Sequence, residues 1–316
     1  MSRKINQTKK PGVPPLFGIA GGILAVSTAS IFIRFAQDSA PSLVIATYRL
    51  VFATLILSPW ALTRSRGEIL CLNRKDVLLA LLSGFFLALH FAAWITSLAM
   101  TTVASSVVLV TTSSLWVSLL SPWVLKERIS KTIMAGLFIA LAGGSIVSLS
   151  DVCHFSSQGL TCSSLGNPLE IKALSGNFLA LFGAWMAAGY LLIGRQLRAR
   201  MSLVAYTFVV YGFAAFVLVI ITLGLGYSLV GYPPISFLLF LALAVIPQLL
   251  GHSTFNWALR YLPAVYVSIS LLGEPVGSTI LAYLLLNEVP TSLKITGAAL
   301  ILLGIVVSSR AGLRRD

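Results

Sequence analysis

The chain has 316 residues, 57% of them hydrophobic and 10% charged, with a mean hydropathy of +0.94 and a formal net charge of +13. That balance belongs to a membrane protein and excludes an ordinary soluble domain. The charge alone would fit nucleic acid, but the positions of the basic residues assign it to membrane orientation, and the sequence holds no Cys/His cluster with metal spacing, no phosphate loop and no nucleophile elbow.

Residues 1–15 begin with a basic arm, MSRKINQTKK. The apolar run behind it is too long for a signal-peptide core and lacks a small-residue cleavage site, so it is read as a helix of the mature chain. Ten apolar runs follow in order: Leu16–Ala36, Ser42–Leu62, Asp76–Ser97, Thr101–Leu125, Thr132–Leu149, Leu174–Gly194, Ser202–Leu223, Ile235–Ala258, Leu262–Leu286 and Ser292–Ser309. At ~1.5 Å per residue such runs span a hydrocarbon core of ~30 Å. The expected fold is an all-α membrane protein of ten transmembrane helices.

The basic residues orient it. With the N-terminus cytoplasmic, the inner segments hold Arg3, Lys4, Lys9, Lys10, Arg64, Arg66, Arg74, Lys75, Lys126, Arg128, Lys131, Arg195, Arg198, Arg200, Arg260, Arg310, Arg314 and Arg315. The outer segments hold only Lys172 and Lys294, while Arg34 and Arg49 lie within runs. This bias predicts both termini in the cytoplasm of a cell (inner) membrane, with the lipid bilayer as a partner and no role for nucleic acid.

The chain also repeats itself. Met100–Ser148 shifted by 161 residues lies ungapped on Tyr261–Ser309, so Lys126-Glu127 meets Asn287-Glu288, Gly136 meets Gly297 and Gly143 meets Gly304. Ser42-Leu43-Val44 meets Ser202-Leu203-Val204 at a shift of 160. Five helices followed by five related ones must be inverted, because five is odd, and inverted repeats typify secondary transporters with a midplane site. The repeats are placed at 16–149 and 174–310, with an outer connection at 150–173 and a tail at 311–316. The recurring glycines let helices approach closely. They serve core packing or the contact of a homodimer. In the outer connection Cys153 and Cys162 are close enough in sequence for a disulfide if the compartment is oxidising.

The polar residues inside the runs are the candidate site. Glu274 stands at the middle of its run between Gly273 and Pro275. A mid-bilayer carboxylate costs roughly 2.5–3.5 kcal/mol on insertion scales, so it faces a cavity or a partner. Pro275 frees a carbonyl one turn back, and in lipid such groups survive only where protein or a wet cavity receives them. A buried structural pair with an inert kink is the alternative. Arg49 lies ~10 Å deep in the second run. His90 and Trp94 share a helix face in the third. Ser113 and Ser114 stand where the repeat has Glu274 and Pro275. Pro247 and Gln248 sit mid-run in the eighth, followed by His252 and Asn256; Trp185 and Tyr190 offer aromatic walls, and Tyr206 and Tyr211 belong to core or interface. Such a cavity suits a small amphipathic solute with a charged group, and a simple inorganic ion poorly. An enzyme would need a clustered catalytic set, and a receptor a sizeable soluble domain; the sequence shows neither.

The ten runs, the five-plus-five inversion, VLKER, LLLNE and LLGEPVGS resemble the drug/metabolite transporter superfamily of the EamA type, over nearly the whole chain. The resemblance implies a ten-helix bundle with cytoplasmic ends and a cavity lined by helices one, three, four, six, eight and nine. It implies export or exchange of amino acids, nucleobases or other metabolites as small-molecule substrates, without a bound cofactor; import of a nucleotide- or cofactor-like solute and multidrug export are the alternatives. Arg49, Glu127, Glu274, Pro275 and Glu288 match the family pattern. Relatives often carry proline where Ser114 stands, so a bend in helix four is not implied.

Overall fold

A computed structural model describes residues 14–127, 129–149, 153–156, 159–162, 168–287, 289 and 292–312; the basic arm, Arg128 and Glu288 lie outside them. The described chain is helical apart from one hairpin. The long helices are α1 (Pro15–Gln37), α2 (Ser42–Arg64), α3 (Arg74–Leu98), α4 (Val103–Val124), α5 (Lys131–Leu149), α6 (Pro168–Arg198), α7 (Leu203–Gly224), α8 (Pro234–Ala258), α9 (Ala264–Leu286) and α10 (Ser292–Gly312). A short helix, Arg66–Leu70, joins α2 to α3. Among the described residues eight helices are long and apolar enough to cross a membrane; α5 and α10 carry shorter apolar stretches, Lys131–Ile146 and Ile295–Gly304.

Local chemistry sets the helix ends. Asn73 caps α3 by accepting from the Asp76 N–H at 2.9 Å. Thr102 and Ser202 cap α4 and α7 in the same way. Each side chain satisfies one of the N–H groups that a helix start leaves without a partner. Proline opens α1 and α8, where its missing N–H costs nothing.

The hairpin is a departure from the expected all-α fold. Strands β1 (Cys153–Ser156) and β2 (Gly159–Cys162) pair antiparallel in the connection between α5 and α6. Their register sets Cys153 opposite Cys162; the two side chains lie outside the described residues. Helix α6 is longer than its apolar run and begins at Pro168, within the expected connection.

The packing follows the repeat. Helix α5 packs on α10, α2 on α7 and α4 on α9, each against its own repeat equivalent. Helix α3 packs on α6 as α8 packs on α1, and these two contacts are images of each other under the repeat. At the α5–α10 contact a Cβ on Gly143 would stand 2.5 Å from the Gly297 carbonyl oxygen, and one on Gly304 would meet that of Gly136. The glycines sequence reading left between core and dimer are used inside one chain, and as partner numbers rise in one helix they fall in the other, as antiparallel rods require. A further sign of the repeat is conformational. Among the described residues the only non-glycine positions with positive φ are Lys126 (58°) and Asn287 (57°), which are repeat equivalents following α4 and α9.

Candidate functional site

The site forms where helices break. Helix α9 is interrupted by a 3-10 turn, Leu271–Gly273, after which Glu274 starts its second half. Pro275 cannot donate to the Leu271 carbonyl four residues back, and that carbonyl accepts instead from the Glu274 N–H. Helix α4 breaks at the equivalent place without a proline. Its halves, Val103–Thr111 and Ser113–Val124, meet at Thr112, whose N–H bonds three residues back to Leu109. Three hydroxyls support this break. Thr111 bonds the Val108 carbonyl at 2.9 Å, Thr112 that of Leu109 at 2.6 Å and Ser114 that of Thr111 at 3.0 Å. Hydroxyls that bond carbonyls three or four residues back bend helices and satisfy backbone that lipid cannot. In α8 the stretch Ala244–His252 is a π-helix with Pro247 inside it. Such wide turns are frequent at functional sites.

Between these breaks lies a cavity with about 540 Å³ of empty space, its mouth included. His90 and Trp94 come from α3, Val110, Thr111 and Ser113 from α4, Tyr190 and Leu191 from α6, His252 and Phe255 from α8, Leu271 and Glu274 from α9. Of the predicted site residues His90, Trp94, Ser113 and Glu274 therefore meet on one cavity, whereas α1 contributes nothing to its described lining. The His90 Nδ1 lies 3.0 Å from the Gly183 carbonyl, and its ring stacks on Trp94 with centroids 5.9 Å apart. His252 lies 6.4 Å from His90, centroid to centroid. Among the described residues no group of His, Cys, Asp and Glu is arranged to hold a metal.

Ser114, Gln248 and Arg49 do not line this cavity. Ser114 is spent on its own helix backbone. Arg49 is wholly buried behind Phe91, with its guanidinium carbon 4.1 Å from the ring centroid. Its Nε donates to the Gln248 Oε1 at 2.8 Å, while both its terminal nitrogens and the Gln248 Nε2 are buried without a hydrogen-bond partner. Nothing in an apolar run marks Phe91 as the cover of a charge in another helix. Phe91 also meets the His252 ring edge-on at 5.3 Å, so one aromatic layer separates the hidden cation from the cavity that holds the carboxylate.

A dense polar network closes one end. Tyr190 donates to Asn256 Oδ1 at 2.8 Å, Asn256 Nδ2 donates to Tyr211 at 3.1 Å, and Arg198 Nε donates to the Asn256 carbonyl at 2.9 Å. Beyond it Glu127 pairs with Arg195 at 2.7 Å and accepts from the Ala264 N–H at 3.2 Å, which caps α9. Glu127 is thus a clamp between the α4–α5 turn, α6 and α9. This is the end at which Arg200 pairs with Asp76 at 3.0 Å.

Apolar helices in two interlocking halves around a polar-lined cavity define a multi-pass membrane transporter. The chain belongs to the EamA-like transporter family, whose model matches residues 14–149 and again 174–310. Members are transporters and not enzymes. The chain is 27% identical over 296 residues to the pseudopaline exporter CntI of Pseudomonas aeruginosa, covering 93% of this chain and 96% of that one. An uncharacterized transporter of Archaeoglobus fulgidus is 21% identical over 88% of this chain and 91% of its own. A solved crystal structure with 17% identity superposes with a TM-score of 0.72, over 96% of this chain and 98% of its own, and shows the same fold.

Proposed function

We propose that the protein is a secondary exporter or exchanger of a small organic metabolite, working by alternating access around the cavity that holds Glu274. The observation that carries this is a carboxylate, 8% exposed, at a helix break and facing His90, Trp94, Ser113, Tyr190 and His252. A solute presenting a hydrogen-bond donor or a positive group to Glu274 gains a charge-assisted bond in a low-dielectric site, and Trp94 and Phe255 offer apolar surface to its body. Loss or gain of a proton at Glu274 gives a route to coupling. Similarity to a named exporter favours the outward direction.

The test has two stages. Thermal stabilisation across a metabolite panel finds the solute, because a ligand of the folded state raises stability by RT ln(1 + [L]/Kd). Efflux of that solute is then measured in proteoliposomes. Flux at the parental rate in Glu274→Gln at every accessible pH would sink the reading.

The same proposal holds ten spans, with both termini cytoplasmic in the inner membrane; the crowding of basic residues into alternate connections and the charged network at one end support it. Cysteines placed at Arg66 and Ser130 should resist an impermeant thiol reagent added outside, and one at Ser157 should react. The reverse pattern overturns the orientation.

A further inference from the structure

The central cavity is bordered on the hairpin side by a second empty space. This crevice, about 1020 Å³ with its mouth, lies between α4, α5, α6, α9 and α10 and is lined by Leu109, Thr112, Gly144, Asn177 and Leu272 among others. A third space of about 1160 Å³ follows on the face of α6, sharing Leu109 and Asn177 with the crevice. It reaches Leu174 and Phe178, which are 59% and 58% exposed in the chain and so face the bilayer. The three spaces form a series from the site to the lipid.

The partition between the first two is one residue thick. Thr111 borders both. Val110 and Leu271 face the central cavity, while their neighbours Thr112 and Leu272 face the crevice. The wall is therefore built from the two helix breaks. Backbone there is already held by three-residue bonds and hydroxyls, so it can shift without stranding a carbonyl in an apolar place. At the far junction the Asn177 Oδ1 is buried and accepts no hydrogen bond. A buried acceptor left open is costly unless something visits it.

We propose that the solute passes sideways: the breaks at Val110–Thr112 and Leu271–Gly273 are the gate, and the crevice past Asn177 is the route between the site and the lipid-facing side of α6. The proposal rests on the transport reading above. It narrows the solute to an amphipathic organic molecule, with an apolar body for the crevice walls and a hydrogen-bond donor for Glu274 and then Asn177.

Access to the site tests this without any solute. In a chain carrying Cys71→Ser, Cys153→Ser and Cys162→Ser, Ser113→Cys supplies a single thiol on the central cavity. N-phenylmaleimide partitions into the bilayer of proteoliposomes, and alkylation is followed by mass. Gly144→Trp fills the crevice, where even a Cβ would stand 3.1 Å from Val108. Asn177→Trp fills its junction with the lipid-facing space and does not need room in the core. Either plug, in protein that remains monodisperse, should slow labelling at least tenfold while leaving that of a cysteine placed at Arg66 unchanged. Labelling of Ser113→Cys at the unplugged rate in the Asn177→Trp chain overturns the route. Because no flux is read, that failure strikes the route alone, and the transport reading is decided separately by efflux.

Discussion

Helices α4 and α9 are repeat equivalents that break at the same place by different chemistry. In α9 a proline removes a donor and a 3-10 turn follows. In α4 three hydroxyls bond back to carbonyls at the break. The comparison teaches that geometry is shared between the halves and charge is not. A break is needed on both sides of the cavity, because only irregular backbone frees polar groups at mid-depth. One carboxylate is enough, because a second one facing Glu274 would repel it in a low dielectric.

The largest effect should come from exchanging the two chemistries' contributions to flux. Glu274→Gln keeps the size and removes the charge, and net efflux of the panel's solute should fall at least tenfold. Ser113→Ala removes the equivalent group of α4 and should cost threefold or less. Equal losses would erase the asymmetry, and a larger loss in Ser113→Ala would reverse it.

The next effect is on stability and concerns the charge hidden behind the cavity. Arg49 donates one bond, to Gln248, and leaves two nitrogens without a partner. Removing Gln248 takes its one hydrogen bond from a buried charge, at about 3–5 kcal/mol, whereas Arg49→Met removes the charge and strands only the neutral Gln248 amide, at about 1–3 kcal/mol. Gln248→Leu should therefore lower the thermal midpoint of the purified protein strongly, and Arg49→Met much less. If Arg49→Met is the worse of the two, the terminal nitrogens have partners in the working protein that this conformation lacks.

Much of this is legible in the sequence. Every apolar run became a helix, and the twofold repeat could be read from glycines and glutamates at one fixed shift. Glu274 stood out because a charge in an apolar run is rare, and His90, Trp94 and Ser113 because their spacing put polar groups at similar depth. Depth is what one sequence gives; azimuth between distant helices is not. That is why Gln248 and Arg49 were expected on the cavity and stand one layer behind it, with Phe91 between. Ser114 was misplaced for a local reason, since a hydroxyl at a helix break meets its own backbone first. The break in α4 was readable only by treating Thr111, Thr112 and Ser114 as backbone partners and not as solute contacts.

A smaller effect sharpens the comparison at the helix ends. Lys126 and Asn287 hold the same left-handed conformation after α4 and α9. That region costs a residue with a full side chain about 1–2 kcal/mol, and Asn tolerates it better than most. Lys126→Gly should raise the thermal midpoint, by about 1 kcal/mol or less once the greater freedom of unfolded glycine is counted. Asn287→Gly should change it less. A drop in Lys126→Gly would mean that the lysine is held there by a contact stronger than its strain.

The smallest effect belongs to the hairpin that connects the halves. Directly opposed residues of an antiparallel pair have Cα atoms about 4.5–5.5 Å apart, inside the range of about 4.4–6.8 Å that a disulfide spans. Cys153 and Cys162 are so opposed. If the hairpin faces an oxidising compartment, the two should join, and intact protein should carry two hydrogens fewer than its reduced form by mass. The bond would close only the ten residues of the hairpin, so it should order the connection locally and leave the α4 and α9 breaks as they are. Cys153→Ser should accordingly change efflux by less than twofold. Alkylation of both thiols without a reductant, in protein taken from that compartment, rules the bond out; a large loss of efflux in Cys153→Ser would instead tie the hairpin to the gate between the halves.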